Sequence, residues 1–178
     1  MMGSFMPTAT TAFGSRWIRC ARSNNSKPYG KRETRPGRLF RTMQPSTKTQ
    51  LWNSFQGRRV LLTGHTGFKG SWLAVWLDLL GAQVHGYSLS PESPSLYEAA
   101  GLADRIPGVI GDLRDRERLA SVFRSFQPEL VLHLAAQPLV LRSYEDPLET
   151  YRSNAMGTAT VLEAVRHSEC VKTVVVVT

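Results

Sequence analysis

Cysteine is scarce in this sequence: Cys20 and Cys170 are the only two, and neither has a neighbouring ligand at metal-binding spacing. That excludes a disulfide framework and a cysteine-based metal site, and it suits a reducing compartment in which both thiols are inert. Long apolar runs are also missing. The best, Trp72 to Leu80, is interrupted by Asp78 and falls short of the roughly 18–20 residues a membrane span needs, so the chain reads as soluble. Acids are nearly absent from residues 1–50, where ten Lys and Arg face the single Glu33, a local charge of +9. The remainder carries twelve basic and thirteen acidic side chains, a charge of −1, so the overall +8 belongs to the tail.

Residues 1–50 also lack any useful apolar periodicity, and their Ser, Thr, Arg, Gly and Pro cannot bury enough surface to offset ordering entropy. The prediction is a disordered basic extension. Three readings of it stand open: a start assigned upstream of a working Met43, an organelle transit peptide, or a nucleic-acid-binding arm. Sparse aromatic interleaving makes nucleic acid the unfavoured partner.

After Gly57 the pattern changes. Arg58 to Thr63 reads as a buried strand, Gly64 to Gly70 as a turn, and Phe68, Trp72, Val75, Trp76 and Leu79 recur at helical spacing up to a stop at Gly81. Gln83 to Leu89 is a second strand and Gly108 to Gly111 a short third. Leu119, Val122, Phe123 and Phe126 then stripe a helix. Glu129 to Leu134 is a fourth strand. Leu148, Tyr151, Ala155, Ala159, Leu162 and Val165 stripe a long helix before a fifth strand, Val171 to Val177. Strands alternating with helices predict an α/β fold, a doubly wound parallel sheet of the Rossmann-like kind. Its span is residues 55–178 after the basic extension.

In such a sheet the turn from first strand to first helix receives a dinucleotide's pyrophosphate. The helix N-terminus offers unpaired N–H groups there, and bare glycines allow close approach. Here the spacing is Gly64, Gly67, Gly70, a G-x-x-G-x-x-G turn in the required strand-to-helix context. Gly64, Thr66, Gly67, Phe68, Lys69 and Gly70 are therefore candidate cofactor contacts. At the end of the second strand, where an acid would hold the adenosine ribose, stands Ser88, eighteen residues after Gly70. A serine supplies no charge-assisted bond and does not repel a 2′-phosphate, so NAD over NADP does not follow from it.

The segments "TGHTGFKGSWL", "GYSL", "GDLRD", "HLAAQPLV" and "TYRSNAMGTATVLEAVR" together resemble the extended short-chain dehydrogenase/reductase superfamily. Within it they are most similar to the CDP-glucose 4,6-dehydratase branch, to which His65 and Lys69 point. The resemblance covers roughly Phe55 to Thr178. It implies NAD as cofactor, a nucleotide-sugar substrate, homo-oligomers among full-length relatives and a cytoplasmic location, or an organelle if the extension is an address. An epimerase or reductase of the same superfamily, or a non-catalytic dinucleotide-binding fragment, remains the alternative.

The resemblance also implies roles by position. Asp112 would receive the adenine amino group with Leu113 adding a backbone contact; the lesser alternative is that Asp112 is the N-cap of the following helix. Leu134, Ala135, Ala136 and Gln137 would line the nicotinamide ribose, or simply pack. Asn154 would hold the active-site backbone and Ser153 face the cofactor, or Asn154 would be an exposed helical residue. Lys69 would pair with a phosphate or stay solvated. His133 reads as a hydrogen-bonded core histidine rather than a catalytic one.

The chemistry implied takes a hydride from sugar C4, eliminates water across C5 and C6, and returns the hydride to C6. Its base is a Tyr in a Tyr-x-x-x-Lys pair, whose Lys lowers the Tyr pKa. Tyr29, Tyr87, Tyr97, Tyr144 and Tyr151 are followed four positions on by Glu33, Pro91, Gly101, Leu148 and Ala155, never by Lys. No catalytic residue is therefore assigned. The chain reads as an amino-terminal portion without a substrate domain, inactive by itself.

Overall fold

The structure, a computed structural model, describes residue 50 and residues 52–177. The readings placed on residues 1–49, including Cys20, lie outside the described residues. Five strands form one parallel sheet: β1 (Arg59–Thr63), β2 (Gln83–Ser88), β3 (Gly108–Ile110), β4 (Leu130–His133) and β5 (Thr173–Val176), in the order β3-β2-β1-β4-β5. All are one to three residues shorter than the apolar runs suggest. Four of the five residues of β1 are buried, as a central parallel strand covered on both faces must be. Among the described residues no helix is long and apolar enough to cross a membrane.

Alternate residues of β1 feed opposite faces. Val60 and Leu62 join Ala74, Leu77, Val84, Leu102 and Ile106 on one side. Leu61 joins Tyr87, Leu119, Val122, Phe123, Val131 and Val161 on the other. The first cluster is roofed by α1 (Phe68–Leu79) and by two short helices, α2 (Leu96–Ala99) and α3 (Leu102–Arg105). The second is roofed by α4 (Arg116–Phe126) and α7 (Gly157–Arg166).

Two apolar stripes point the other way from the expectation. In α1 the buried residues are Gly70, Ser71, Ala74 and Leu77, while Phe68, Trp72, Trp76 and Leu79 are exposed. Small side chains let the helix lie close to the sheet, which turns the large ones outward. The expected long helix is instead α6 (Pro147–Tyr151), a π turn (Arg152–Met156) and α7, with a separate short helix α5 (Val140–Glu145) before them. Gly157 and Val161 face the core, whereas Leu148, Tyr151, Ala155, Ala159 and Leu162 are exposed and Val165 is half-buried. The α4 stripe does face inward, with Leu119, Val122 and Phe123 buried. Its N-cap is Asp115, whose carboxylate accepts from the Arg118 amide, so the capping alternative for Asp112 is corrected.

Candidate functional site

Strand order reverses beside β1: the chain runs outward through β2 and β3, then returns to β4 on the other side. The carboxyl ends of β1 and β4 therefore open a crevice at the topological switch point, where sheets of this kind bind ligands. The glycine turn fills its floor. Gly64 has a φ of 76°, and a Cβ there would come within 2.7 Å of the Ala135 nitrogen. A side chain at Gly70 would overlap the Gly64 carbonyl. The turn is built so tightly that neither position tolerates a methyl group.

Gly67 caps α1 with extended backbone and no side-chain hydrogen bond, and no acid stands in the first helical turn. The Gly67 amide donates to the Gly64 carbonyl and the Ser71 amide to the Gly67 carbonyl. Between them, the amides of Phe68, Lys69 and Gly70 have no acceptor among the described residues. Three consecutive bare N–H groups with the helix dipole behind them are an arrangement that favours anions. The Lys69 side chain is exposed and borders a shallow open cleft with Phe68, Trp72, Leu73 and Trp76, on the outer surface of the helix.

Ser88 is buried and bonded to Thr66, Oγ to Oγ1, at 2.7 Å. The Thr66 hydroxyl donates to the Leu89 carbonyl at 2.9 Å, so its single hydrogen is used and Ser88 must be the donor of their shared bond. Ser88 thus retains acceptor capacity only: it can take a bond from a ribose hydroxyl but cannot give one.

Past β3, the Asp112 carboxylate is grasped by Arg114. Its Oδ1 accepts from the Arg114 amide and Nε, and its Oδ2 from Nε and Nη2. Hydrogen bonding from that guanidinium holds the carboxyl below its ordinary range. Arg114 also reaches Glu149 at 3.0 Å. Nothing in the helical or strand periodicity singles Arg114 out. The Tyr87 hydroxyl donates to the Asp112 carbonyl at 2.8 Å; burial, with Asp115 next in effect, pushes this phenol up to about 12. Leu113 packs toward Gly157, where a Cβ would lie 3.1 Å from its Cδ1.

On the other wall, Leu134 to Gln137 leave β4. Asn154, in the π turn, accepts from the Gln137 amide at 2.7 Å and donates to its carbonyl at 3.1 Å. The extra residue of the π turn, in which the Gly157 amide reaches back to the Arg152 carbonyl, marks a departure from the α ladder that recurs at functional sites. Ser153 lies one residue away, its hydroxyl 3.4 Å from Glu149 Oε1. His133 is buried and bonded on both ring nitrogens. Burial pulls its pKa down, and it is a satisfied core histidine.

His65 gives the GHTG sequence its structural meaning. Its ring lies over Gly86 and Gly108, which face each other across β2 and β3, and a Cβ on either would meet the imidazole. Tyr97 closes the slot edge-on at 5.4 Å. His65 is 1% exposed, and its Nδ1 has no hydrogen-bond partner among the described residues. Burial, aided by His85 and opposed by the Tyr87 backbone, lowers its pKa to about 4. It is a packing wedge and does not face the glycine turn's bare amides.

Residues 61–178 match the family of GDP-mannose 4,6 dehydratase. A CDP-glucose 4,6-dehydratase of Salmonella typhimurium is 53% identical over 127 residues, 71% of this chain and 35% of that protein. A GDP-mannose 4,6-dehydratase of Vibrio cholerae is 34% identical over 61% of this chain and 31% of its own length. Among solved structures, a UDP-glucose 4-epimerase from Brucella ovis in complex with NAD superposes with a TM-score of 0.56 at 32% identity, covering 64% of this chain and 34% of that one. The chain thus spans about a third of the relatives it matches.

Proposed function

The chain belongs to the GDP-mannose 4,6 dehydratase family, and on that premise we propose that residues 55–178 are the NAD-holding part of a nucleotide-sugar 4,6-dehydratase of the CDP-glucose type. The observation that carries this reading is the row of bare amides at Phe68, Lys69 and Gly70, set at the switch point of the sheet. The residues present fit a dinucleotide's diphosphate: three consecutive amides stand bare at the N-terminus of α1, and no acid in its first turn opposes an anion. The amides hold the diphosphate; Ser88 accepts from the adenosine ribose; Asp112 offers the adenine amino group what acceptor capacity Arg114 leaves it. The Leu134–Gln137 backbone, clamped by Asn154, lines the nicotinamide ribose, with Ser153 beside it. When bound, NAD supplies the acceptor for the hydride leaving the sugar and the source of its return.

The CDP-glucose assignment rests on the higher identity to that enzyme than to the GDP-mannose and UDP-glucose relatives. Residues 1–178 contain no Tyr-x-x-x-Lys pair, so we assign them cofactor retention and not turnover. Self-association belongs to the same proposal and is supported by the exposed stripe Leu148, Ala155, Ala159 and Leu162. A cytoplasmic location goes with it, carried by kinship alone. Titration calorimetry with NAD should give one saturable site; folded protein that takes up no NAD removes the reading. CDP-glucose incubated with residues 1–178 should stay intact beside a full-length relative that consumes it, and product formation by this chain alone would overturn the division of labour.

A further inference from the structure

The order of donors and acceptors around His133 is fixed by counting hydrogens. The Thr158 hydroxyl donates to the Asn154 carbonyl at 2.6 Å. Having one hydrogen, Thr158 Oγ1 must accept from His133 Nε2, 3.0 Å away. The neutral ring then carries its proton on Nε2, and Nδ1 is a bare acceptor. It takes the Thr63 hydroxyl at 2.6 Å. Thr63 Oγ1, its hydrogen used, accepts the Ala135 amide at 3.3 Å. Asn154 in turn binds both backbone groups of Gln137. A closed circuit results, from Ala135 through Thr63, His133, Thr158 and Asn154 to Gln137, two residues from where it began.

Each link of this circuit joins a different element. Thr63 ends β1, His133 ends β4 beside it in register, Thr158 stands in α7, and Asn154 stands in the π turn. The stretch Ala135 to Gln137 is thereby held at both ends by the same chain of bonds. Three apolar side chains of similar shape would fill the space between β1, β4 and α7 at little cost in stability. A polar circuit is needed only if the two backbone segments it reaches must stand in one fixed relation.

We infer that His133 is a positioning residue: through Thr63 and Thr158 it sets the Ala135–Gln137 backbone against the π turn, so that the nicotinamide side of the crevice is formed before any ligand arrives. This rests on the dinucleotide reading above. Such preorganisation raises affinity by removing the ordering that binding would otherwise require. The imidazole itself is enclosed, with His133 only 2% exposed.

The test uses the full chain with Thr63→Val, His133→Leu and Thr158→Val combined, and separately with His133→Asn and His133→Gln. Amide hydrogen exchange at Ala135 and Gln137, NAD affinity by calorimetry and thermal midpoints are measured on each. In the triple variant, exchange at both amides should accelerate at least tenfold and NAD affinity should fall about tenfold, with the midpoint shifted by only a few degrees. His133→Asn keeps an acceptor toward Thr63 and His133→Gln a donor toward Thr158, so each should restore part of the protection at its own end. Unchanged exchange at Ala135 and Gln137 in the triple variant overturns the inference, as does an NAD affinity in that variant equal to that of a wild type that binds NAD. If the wild type takes up no NAD, the functional reading fails, and the exchange data alone decide whether the circuit sets this backbone.

Discussion

His65 and His133 flank the same strand, are buried to 1% and 2% exposure, and have opposite surroundings. On the β2 and β3 side, His65 meets two glycines and a tyrosine edge, and its Nδ1 has no partner among the described residues. On the β4 side, His133 meets two threonines and both its nitrogens are bonded. Burial says little about what a histidine does; the residues across from it decide. Glycines turn an imidazole into a spacer, and threonines turn it into a junction.

The largest effect should come from the corner between these two regions. In Gly70→Ala the new methyl group meets the Gly64 carbonyl, which is backbone and cannot step aside. Loss of about 3 kcal/mol or more in urea unfolding is expected, together with loss of NAD uptake. A variant of normal stability would mean the turn is looser than its geometry states.

Next comes pH. The folded state holds the His65 pKa near 4 against a free value of 6.5. The unfolded chain therefore binds a proton that the folded one refuses. Stability should be full above pH 6.5 and decline as pH falls toward 4, by up to ~3 kcal/mol from this group. His85 and His133, also lowered by burial, act in the same direction. Unfolding measured from pH 7.5 to 4.5 should show a shallower decline in His65→Phe than in wild type. Identical slopes would mean that His65 is already solvated.

A smaller effect sharpens the contrast between wedge and junction. Gly86→Ala puts a methyl group into the imidazole of His65 and should cost on the order of 1–3 kcal/mol. Combined with His65→Ala, much of that cost should disappear, a coupling that a double-mutant cycle reads directly. The same glycine change paired with His133→Asn should be additive, because the two rings lie on opposite sides of β1.

The smallest effect concerns Arg114→Ala. The pair with Asp112 is substantially exposed, so stability should move by less than ~1 kcal/mol. Without that guanidinium the Asp112 carboxyl should titrate higher, toward its ordinary range, by carboxylate NMR. An unmoved titration would assign the depression to the backbone bond instead.

The sheet was legible because its strands are apolar runs separated by glycine-marked turns, and the glycine corner because Gly64, Gly67 and Gly70 stand where one strand yields to a helix. The faces of two helices were not. Phe68, Trp72, Trp76 and Leu79 look like a core stripe by hydrophobicity, but the sheet is approached through Gly70, Ser71 and Ala74, and small residues carry almost no periodic signal. Between β2 and β3, α2 went unread although Ser95 and Glu98 form a reciprocal capping box, a spacing visible in the sequence. The break in the long helix was invisible, because no residue type announces a π turn. Arg114 and the threonines around His133 act through contacts made between 25 and 70 residues apart in some cases, which local patterns do not record.

The account stands or falls on three amides. Adding NAD to uniformly ¹⁵N-labelled chain should shift the backbone signals of Phe68, Lys69 and Gly70 saturably and more than those of the outer helical face at Trp76 and Leu79. Saturable binding that leaves the three signals where they were, with the shifts gathered elsewhere, would contradict it.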